Sequence, residues 1–413
     1  MSLNAAIVGV SGYGRVHYNL MRENVLAGRI NPVGATIINQ DEEAEIVEEL
    51  RGMGCQVFSD YQEMLKALRG QVDLCFLPTP IHYHAPMTCQ ALEAGWNVLV
   101  EKPLAPTMQD VRSIQAVERS TGRFAAVGFQ EVYSPYARAL KQILLSGELG
   151  AVQSMKGRGL WPRSFSYYAR NNWAGRLKVA DRWVLDSPLE NALSHYLHLL
   201  LFLAGGNARE TARPVRVQGE LYRAQAIESF DTGCVRIETD SGIPILFHGT
   251  HSSRETIDPE IVIEAENGRV EWAVHGECRV YRGDSSEPYQ VTPPAGDQRN
   301  AMATAVLDRI TDPDTLICTT ESAGCHTLAI NGVYESSPIH PFPEDLVVTI
   351  DEDGEERTVV NGLGRALSEA FQAGQLFSEA GISWARAGRQ VDMTGYGFFP
   401  SPELGKSIQI PNR

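Results

Sequence analysis

The stretch Ala5-Ala6-Ile7-Val8-Gly9-Val10-Ser11-Gly12-Tyr13-Gly14 decides the fold of the first part of this chain. Its apolar start predicts a buried strand, and the apolar periodicity after the glycine-rich turn predicts a helix. This order is that of the dinucleotide fingerprint G-x-G-x-x-G, in which the middle glycine lets the backbone approach a pyrophosphate. Serine takes the place of that middle glycine here. The stretch predicts a dinucleotide site on Gly9, Ser11, Gly12, Tyr13 and Gly14.

A second strand is predicted over residues 33–38, and Asn39 follows it. At this point of a dinucleotide-binding fold a carboxylate usually binds the adenosine ribose. Asn39 occupies the place as a neutral residue, with Asp41 close enough to be the alternative. No Arg or Lys occurs between Asn39 and Arg51, and residues 41–43 are acidic. Since these acids would repel a 2′-phosphate, the segment favours NAD over NADP, although acids also suit the first turn of a helix.

Strands and helices alternate through the first third of the chain. The patterns predict strands at 72–77, 97–100 and 124–129, helices at 60–68, 84–94 and 107–120, and a loop at 78–84. Such alternation predicts an α/β fold with a doubly wound parallel sheet, here a Rossmann domain over residues 1–130. Ligands bind at the carboxyl ends of such strands. Lys102 follows the strand at 97–100, so it is either a cation beside a cleft or an ordinary surface lysine.

Composition narrows the class of protein. The chain has 413 residues and a formal net charge of −15. This charge disfavours nucleic acids and anionic membranes as partners, because phosphate groups would be repelled. The apolar run 196–204 is far shorter than the about 20 residues that span a bilayer, and the N-terminus has no signal-peptide pattern. The 7 cysteines include no Cys-x-x-Cys pair, which predicts reduced thiols, no metal site and a cytoplasmic location.

Motifs in a fixed order resemble those of the Gfo/Idh/MocA family of nicotinamide-dependent oxidoreductases. They run over roughly residues 5–205: the Gly9–Gly14 loop with His17 after it, Thr79-Pro80-x-x-x-His84, Ala91-Leu92-Glu93-Ala94-Gly95, Glu101-Lys102-Pro103-Leu104, Gly128-Phe129 and Ser146-Gly147-Glu148-Leu149-Gly150. The resemblance implies a Rossmann domain and then, over residues 131–413, an α+β domain with an open, mostly antiparallel sheet. It also implies a sugar, sugar acid or cyclitol substrate, and a homodimer or homotetramer that pairs through this sheet.

The resemblance also implies roles for individual residues. Lys102 is implied to contact the substrate and the nicotinamide ribose, with Glu101 and Pro103 near the cofactor. The loop that lies along the cofactor is implied to consist of Thr79, Pro80, His82 and His84.

A second group of candidate residues lies on a helix predicted from Pro188 to Leu203, with Ser187 as its N-cap. Asn191 and His195 are four residues apart and are predicted to share one face. The ordinary pKa of histidine suits a general base, though a histidine buried in a core helix would give the same pattern. In the family the histidine usually has aspartates four residues before and three after it. Asn191 and His198 occupy those places here.

Aromatic and hydrogen-bonding side chains are concentrated between residues 161 and 173. Aromatic rings stack on sugars, and Arg and Asn bind hydroxyl or carboxylate groups. The stretch is interpreted as a substrate-binding loop, and the alternative is a buried aromatic cluster. The predicted substrate contacts are Trp161, Arg163, Tyr168, Asn171, Trp173 and His198.

The second half alternates in the manner of an antiparallel meander. Strands are predicted at 215–219, 233–238, 244–248, 260–266, 268–272 and 278–281, helices at 300–310, 322–336 and 363–384, and a solvated turn at 351–356. The histidines at 248, 251, 275, 326 and 340 have no metal-ligand spacing and are interpreted as structural or surface residues.

Together with the residue patterns, the resemblance implies an NAD-dependent dehydrogenase that acts on CH–OH groups, with Lys102, His195 and Asn191 as catalytic residues. Two alternatives stay open. The changes at Ser11 and Asn191 leave room for a redox-silent nucleotide-binding regulator. Transient oxidation could also serve an NAD-dependent enzyme that cleaves glycosides.

Overall fold

The computed structural model describes residues 2–283, 285–292, 296–402 and 404. The chain forms two compact units. The first unit contains Met1–Ala105, Gln109–Ser134 and Ala295–Gly324, and the second contains Pro106–Met108, Pro135–Pro294 and Cys325–Arg413. The chain therefore returns to the first unit after residue 294. The domain boundary at residue 130 stays a prediction.

The first unit is built on a parallel sheet, and the described residues contribute six strands to it. From edge to edge these are Gln56–Phe58, Ile30–Thr36, Leu3–Val8, Leu74–Leu77, Asn97–Val100 and Ala125–Val127. In chain order this is 3-2-1-4-5-6, the arrangement of a doubly wound Rossmann sheet. Residues 97–100 are buried throughout, as expected of a strand covered on both faces. The predicted fold class of this part is confirmed.

Helices connect these strands, at Gly14–Leu26, Ala44–Gly52, Tyr61–Ala67, Ile81–Glu93 and Met108–Thr121, and the same unit includes a 3₁₀ turn at Gln130–Tyr133 and a helix at Gln298–Thr311. Several predicted boundaries are wrong. The strands predicted at 72–77 and 124–129 are shorter, at Leu74–Leu77 and Ala125–Val127. The second strand lies at Ile30–Thr36, so it ends before residues 37–38. The helix predicted from residue 84 begins at Ile81, so part of the predicted loop is helical.

The second unit contains a larger, mostly antiparallel sheet, to which the described residues contribute ten strands. In spatial order these are Tyr289–Gln290, Cys278–Arg282, Gly268–Ala273, Ile257–Ala265, Val152–Leu160, Pro244–Thr250, Thr232–Thr239, Pro214–Arg223 and Ile339–Pro341, and Val391–Asp392 also pairs with Pro214–Arg223. The central strand Val152–Leu160 is parallel to Pro244–Thr250 and antiparallel to Ile257–Ala265. The predicted open, mostly antiparallel sheet is confirmed. The predicted meander is wrong at one point, because Val152–Leu160 lies between Pro244–Thr250 and Ile257–Ala265, which would be neighbours in a meander.

Helices and two small hairpins complete the second unit. The helices are Pro135–Leu145, Phe165–Ala169, Ser194–Leu203, Thr320–Ser336, which begins in the first unit, and Leu363–Ala373, with a π turn at Pro188–Ala192 and a 3₁₀ turn at Glu344–Leu346. The hairpins pair Lys178–Val179 with Arg182–Trp183 and Val347–Glu352 with Glu355–Val360. Across all described residues, no helix is long and apolar enough to cross a membrane.

Two of the predicted helices in this unit are wrong in extent. The one predicted from Pro188 to Leu203 is interrupted, because the N–H of Leu193 bonds to the carbonyl of Pro188, five residues back. The wider turn that results ends at Ala192, and a regular helix begins at Ser194. The one predicted over 363–384 ends at Ala373, since Gly374 adopts a left-handed φ of 66° and terminates it. The acidic turn at 351–356 lies at an exposed hairpin tip, as predicted.

Candidate functional site

In the first unit, the glycine-rich loop joins the first strand to the helix Gly14–Leu26. Gly9 and Gly12 have φ values of 85° and 56°, in the left-handed region that favours glycine. A Cβ added to Gly14 would lie 2.8 Å from the carbonyl oxygen of Gly9. Only a glycine therefore allows this close return of the backbone. The resulting loop and helix N-terminus form the kind of cradle that binds a pyrophosphate, so the residues fit a dinucleotide.

Ser11, the departure from the fingerprint, connects this loop to the end of the second strand. Asn39 Nδ2 donates to Ser11 Oγ at 3.0 Å and to Glu42 Oε2 at 2.9 Å. Glu43 pairs with Arg15 at 2.5 Å. Arg15 lies in the helix Gly14–Leu26, before Asn39 in the chain. The NAD preference was predicted from Arg and Lys after Asn39 only, and this prediction therefore did not include Arg15. Because Glu43 neutralises Arg15, the segment keeps the acidic character that favours NAD.

Glu101, at the end of the strand Asn97–Val100, forms a buried pair with His17. Glu101 Oε1 lies 2.7 Å from His17 Nε2, and Oε2 accepts the backbone N–H of Lys102 at 3.1 Å. Burial acts to raise the pKa of Glu101, but the hydrogen bond and charge of His17, with the charge of Lys102, hold this pKa below its ordinary value. A Cβ at Gly128 would lie 2.7 Å from Glu101 Oε1. Glycine at that position therefore leaves room for the carboxylate.

His84 ties two strand ends together. Its Nδ1 lies 2.7 Å from the carbonyl oxygen of Pro103, and its Nε2 lies 2.7 Å from that of Thr79. Burial lowers the pKa of His84. The hydroxyl of Thr79 is buried and makes no hydrogen bond with any described residue, which leaves a polar group for a ligand to satisfy.

The predicted cofactor residues therefore meet at the carboxyl edge of one sheet. The contacts described above join the glycine loop to Asn39, and Thr79 to Pro103 through His84. Pro80 precedes the helix Ile81–Glu93 as its N-cap, His82 is buried in the first turn of that helix, and Lys102 is half-buried. The individual roles of these residues stay predictions.

In the second unit, Ser187 caps the turn Pro188–Ala192 as predicted, since its hydroxyl accepts the N–H of Glu190 at 3.2 Å. Asn191 lies in this turn, and its Nδ2 donates to Asp186 Oδ1 at 2.8 Å. His195, the second residue of the next helix, is half-buried, whereas His198 is fully buried. The chain breaks its helical pattern between Asn191 and His195, at Leu193.

Several aromatic rings and arginines of the predicted substrate loop contact one another. Arg163 lies over the rings of Trp161 and Tyr167, 5.6 Å and 4.9 Å from their centroids. Arg170 lies over Tyr167 and Trp173. A cavity of about 480 Å³ is lined by Pro162, Arg163, Ser164, Ser166, Tyr167, Glu355 and Arg357. The segment includes a short helix, Phe165–Ala169, that the sequence did not show.

The other predicted substrate contacts differ in their surroundings. The Tyr168 hydroxyl is buried and makes no hydrogen bond with a described residue. The side-chain oxygen of Asn171 accepts hydrogen bonds from the backbone N–H groups of Trp173 and Ala174 at 3.0 Å and 2.8 Å. This oxygen therefore stabilises the turn that Asn171 begins. The Trp161 ring packs edge-on against Tyr196 at 5.7 Å. The structure thus places Trp161, Arg163 and Trp173 in one aromatic and cationic cluster.

Sequence reasoning missed two contributors. His17 was noted as part of a motif, but its partner Glu101 is 84 residues away, so no local pattern could join them. Asp186 lies directly before the Ser187 cap and was not singled out, although its carboxylate holds Asn191. Its adjacency to a helix start is the signal that could have drawn attention to it.

Both units match domains of one known protein family. Residues 3–129 match the Gfo/Idh/MocA oxidoreductase family, NAD-binding Rossmann fold. Residues 137–271 match the Gfo/Idh/MocA C-terminal domain. These two segments cover more than half of the 413 residues.

Curated relatives include two bacterial enzymes named inositol 2-dehydrogenase. The one from Serratia proteamaculans is 34% identical over 151 residues, which is 36% of this chain and 43% of the relative. The one from Azotobacter vinelandii is 26% identical over 286 residues, which is 62% of this chain and 80% of the relative. The chain thus spans less than half the length of the first of these relatives.

Solved structures share the fold at low sequence identity. The WlbA dehydrogenase from Bordetella pertussis, in complex with NADH and UDP-GlcNAcA, is 19% identical with a TM-score of 0.68, over 81% of this chain and 96% of that one. A levoglucosan dehydrogenase, in complex with NADH and levoglucosan, is 16% identical with a TM-score of 0.68, over 81% of this chain and 97% of that one.

Proposed function

Since this chain belongs to the Gfo/Idh/MocA family of oxidoreductases, whose Rossmann domain binds NAD, we propose that it transfers a hydride between NAD(H) and a hydroxyl-bearing carbon. The substrate is a sugar, a sugar acid or a cyclitol. The observation that carries the proposal is the carboxyl edge of the parallel sheet, where the glycine loop follows the first strand and Glu101, paired with His17, accepts the backbone N–H of Lys102. The names of the relatives, inositol 2-dehydrogenase and levoglucosan dehydrogenase, support this substrate class.

Each residue of the proposal has a chemical task. NAD supplies the hydride acceptor when it is bound. The loop Gly9–Gly14 holds its pyrophosphate and Asn39 its adenosine ribose. The ammonium group of Lys102 donates a hydrogen bond to the substrate oxygen and polarises it, while Glu101 holds the Lys102 backbone. His195 accepts the hydroxyl proton, since the ordinary pKa of histidine suits a general base near neutral pH.

The preference for NAD over NADP follows from the charges around Asn39. Glu42 accepts from Asn39, and Glu43 neutralises Arg15. A 2′-phosphate would therefore meet carboxylates instead of an unpaired cation. Titration with NADH and, separately, with NADPH tests this, by energy transfer from the 6 tryptophans to the dihydronicotinamide. Weaker binding of NADPH is expected, and equal or tighter binding would overturn the assignment.

Turnover is tested with sugars, sugar acids and cyclitols as substrates and a Lys102→Met variant. We expect this variant to lose turnover by about 100-fold or more, the scale of a polarising or proton-transfer group, and to keep its NADH affinity. Lys66→Met changes an exposed lysine of the helix Tyr61–Ala67 and serves as the matched control. Unchanged turnover in Lys102→Met, or loss of NADH binding, would show that the role of Lys102 is misassigned.

The same experiment separates the alternative functions. Cofactor binding without net oxidation of any substrate indicates the redox-silent regulator. Cleavage of a glycoside without net formation of NADH indicates transient oxidation. We also propose that copies of the chain pair through the sheet of the second unit, and light scattering of the purified protein tests this.

A further inference from the structure

Asp186 is held by an unusual backbone. Leu185, the residue before it, has a φ of 56°, in the left-handed region that leucine rarely adopts. Such a conformation persists only where the surroundings enforce it, and it is most frequent at functional sites. The N–H of Leu185 bonds to the carbonyl of Leu177 at 3.2 Å, and that of Asp186 to the carbonyl of Arg176 at 3.0 Å. The backbone therefore fixes the direction in which the Asp186 side chain points.

Both oxygens of this carboxylate accept hydrogen bonds. Asp186 is only 3% exposed. Its Oδ2 accepts the N–H of Gly175 at 2.6 Å, and its Oδ1 accepts Nδ2 of Asn191 at 2.8 Å. An ionised carboxylate accepts hydrogen bonds and cannot donate them, so it is the amide nitrogen of Asn191 that faces Asp186. The amide oxygen of Asn191 must then point the other way, as an acceptor.

The charge of Asp186 reaches the predicted substrate loop. Burial raises the pKa of Tyr167, and the Asp186 carboxylate raises it further. Burial also raises the pKa of Tyr168, and Asp231 and Asp186 add to this effect. Both phenols are protonated at neutral pH, as tyrosines ordinarily are, and the raised pKa values show that the negative charge of Asp186 reaches them. Asp186 thus acts on two neighbours of the loop as well as on Asn191.

We propose that Asp186 is a positioning residue of the substrate site, which supplies its negative charge and aims the amide oxygen of Asn191 at a substrate hydroxyl. The inference rests on the proposed function. It also explains why an amide stands at 191. A carboxylate there would lie about 2.8 Å from Asp186 Oδ1, and like charges that close cannot both ionise freely. The charge is therefore located at 186, and the orientable amide at 191.

An exchange of the two side chains tests this inference. Asp186→Asn leaves two amides, and Asn191→Asp leaves two carboxylates. The double variant restores one of each, because the amide introduced at 186 can accept from Gly175 and donate to the carboxylate introduced at 191. We expect kcat to fall by about tenfold or more in each single variant, and the double variant to recover to within about threefold of the parent, since coupled neighbours are not additive. NADH affinity is expected to stay unchanged in all three.

Asp181→Asn changes an exposed carboxylate of the same segment and should match the parent. The inference is overturned if Asp186→Asn keeps the parental kcat, or if the double variant is no better than the worse single variant. If the parent protein oxidises sugars but the double variant does not recover kcat, the inference is refuted and the proposed function stands. If the parent oxidises no substrate, the proposed function fails, and the pairing is then judged by thermal unfolding. The double variant must unfold at a higher temperature than both single variants.

Discussion

Replacement of His17 by leucine should destabilise the first unit, and the loss of unfolding free energy should increase as the pH rises. The His17 and Glu101 side chains are 1% and 8% exposed, and their Nε2 and Oε1 atoms lie 2.7 Å apart. Leucine fills much of the histidine volume but leaves the carboxylate of Glu101 without this partner. The variant therefore tests whether the pair holds the end of the strand Asn97–Val100 in place.

The expected loss follows from the burial of the pair. Removal of the partner of a buried charged group, here the Glu101 carboxylate, costs about 3–5 kcal/mol. The lower end, about 3 kcal/mol, is expected here because the N–H of Lys102 still donates to Glu101. His17→Gln keeps an N–H donor near the position of Nε2, so its loss should be only about 1 kcal/mol.

The pH dependence has a definite sign. In the native protein the pKa of Glu101 is held below its ordinary value, so its contribution to stability is present at neutral pH and is lost as the pH falls through that lowered pKa. Without His17, burial dominates and raises this pKa, so the variant is penalised most at high pH. The difference in free energy of unfolding between the parent and His17→Leu should therefore be larger at pH 8 than at pH 4.

Amide hydrogen exchange of the strands Leu74–Leu77 and Asn97–Val100 measures this loss locally, which suits a chain of two units. His340→Leu, a half-exposed histidine of the second unit, is the control and should change these strands by no more than about 0.5 kcal/mol. The reasoning is refuted if His17→Leu costs less than about 1 kcal/mol. It is also refuted if leucine and glutamine cost the same, or if the loss does not vary with pH.

Two further predictions concern the cofactor loop and a buried histidine. Gly14→Ala places a Cβ 2.8 Å from the carbonyl oxygen of Gly9, so its NADH affinity should fall by about tenfold or more in a fluorescence titration. The control is Gly52→Ala, whose Cβ would meet no atom within 4 Å and which should bind NADH normally. Tight NADH binding by Gly14→Ala would contradict the loop geometry. Burial lowers the pKa of His248 to about 3, so the stability that its neutral form contributes is complete above pH 6.5 and is lost as the pH falls below it. His248→Gln should reduce the slope of unfolding free energy against pH between 6 and 4 by about 1.4 kcal/mol per pH unit, and an unchanged slope would show that His248 does not titrate in this way.

Local patterns in the sequence were sufficient for much of the architecture. The strand, glycine turn and helix at the start of the chain follow from apolar periodicity, and Ser187 is an N-cap because its side chain bonds three residues ahead. The alternation of strands and helices was enough to predict a doubly wound sheet. The ends of helices and strands were harder to predict from the sequence. Gly374 ended a helix whose alanine-rich pattern continued to residue 384, since the left-handed conformation of that glycine overrides the helical preference of the residues after it.

The contacts of the candidate site were decided by tertiary structure. His17 and Glu101 are 84 residues apart, and His84 reaches Pro103 across 19 residues. Asp186 and Asn191 are near in sequence, yet their contact depends on the left-handed Leu185 and on a turn that closes five residues back. Periodicity shows which side chains must leave water, because burial follows from the residue's own chemistry. It does not show which polar group each buried side chain will meet, because that partner is chosen by how distant strands and turns converge.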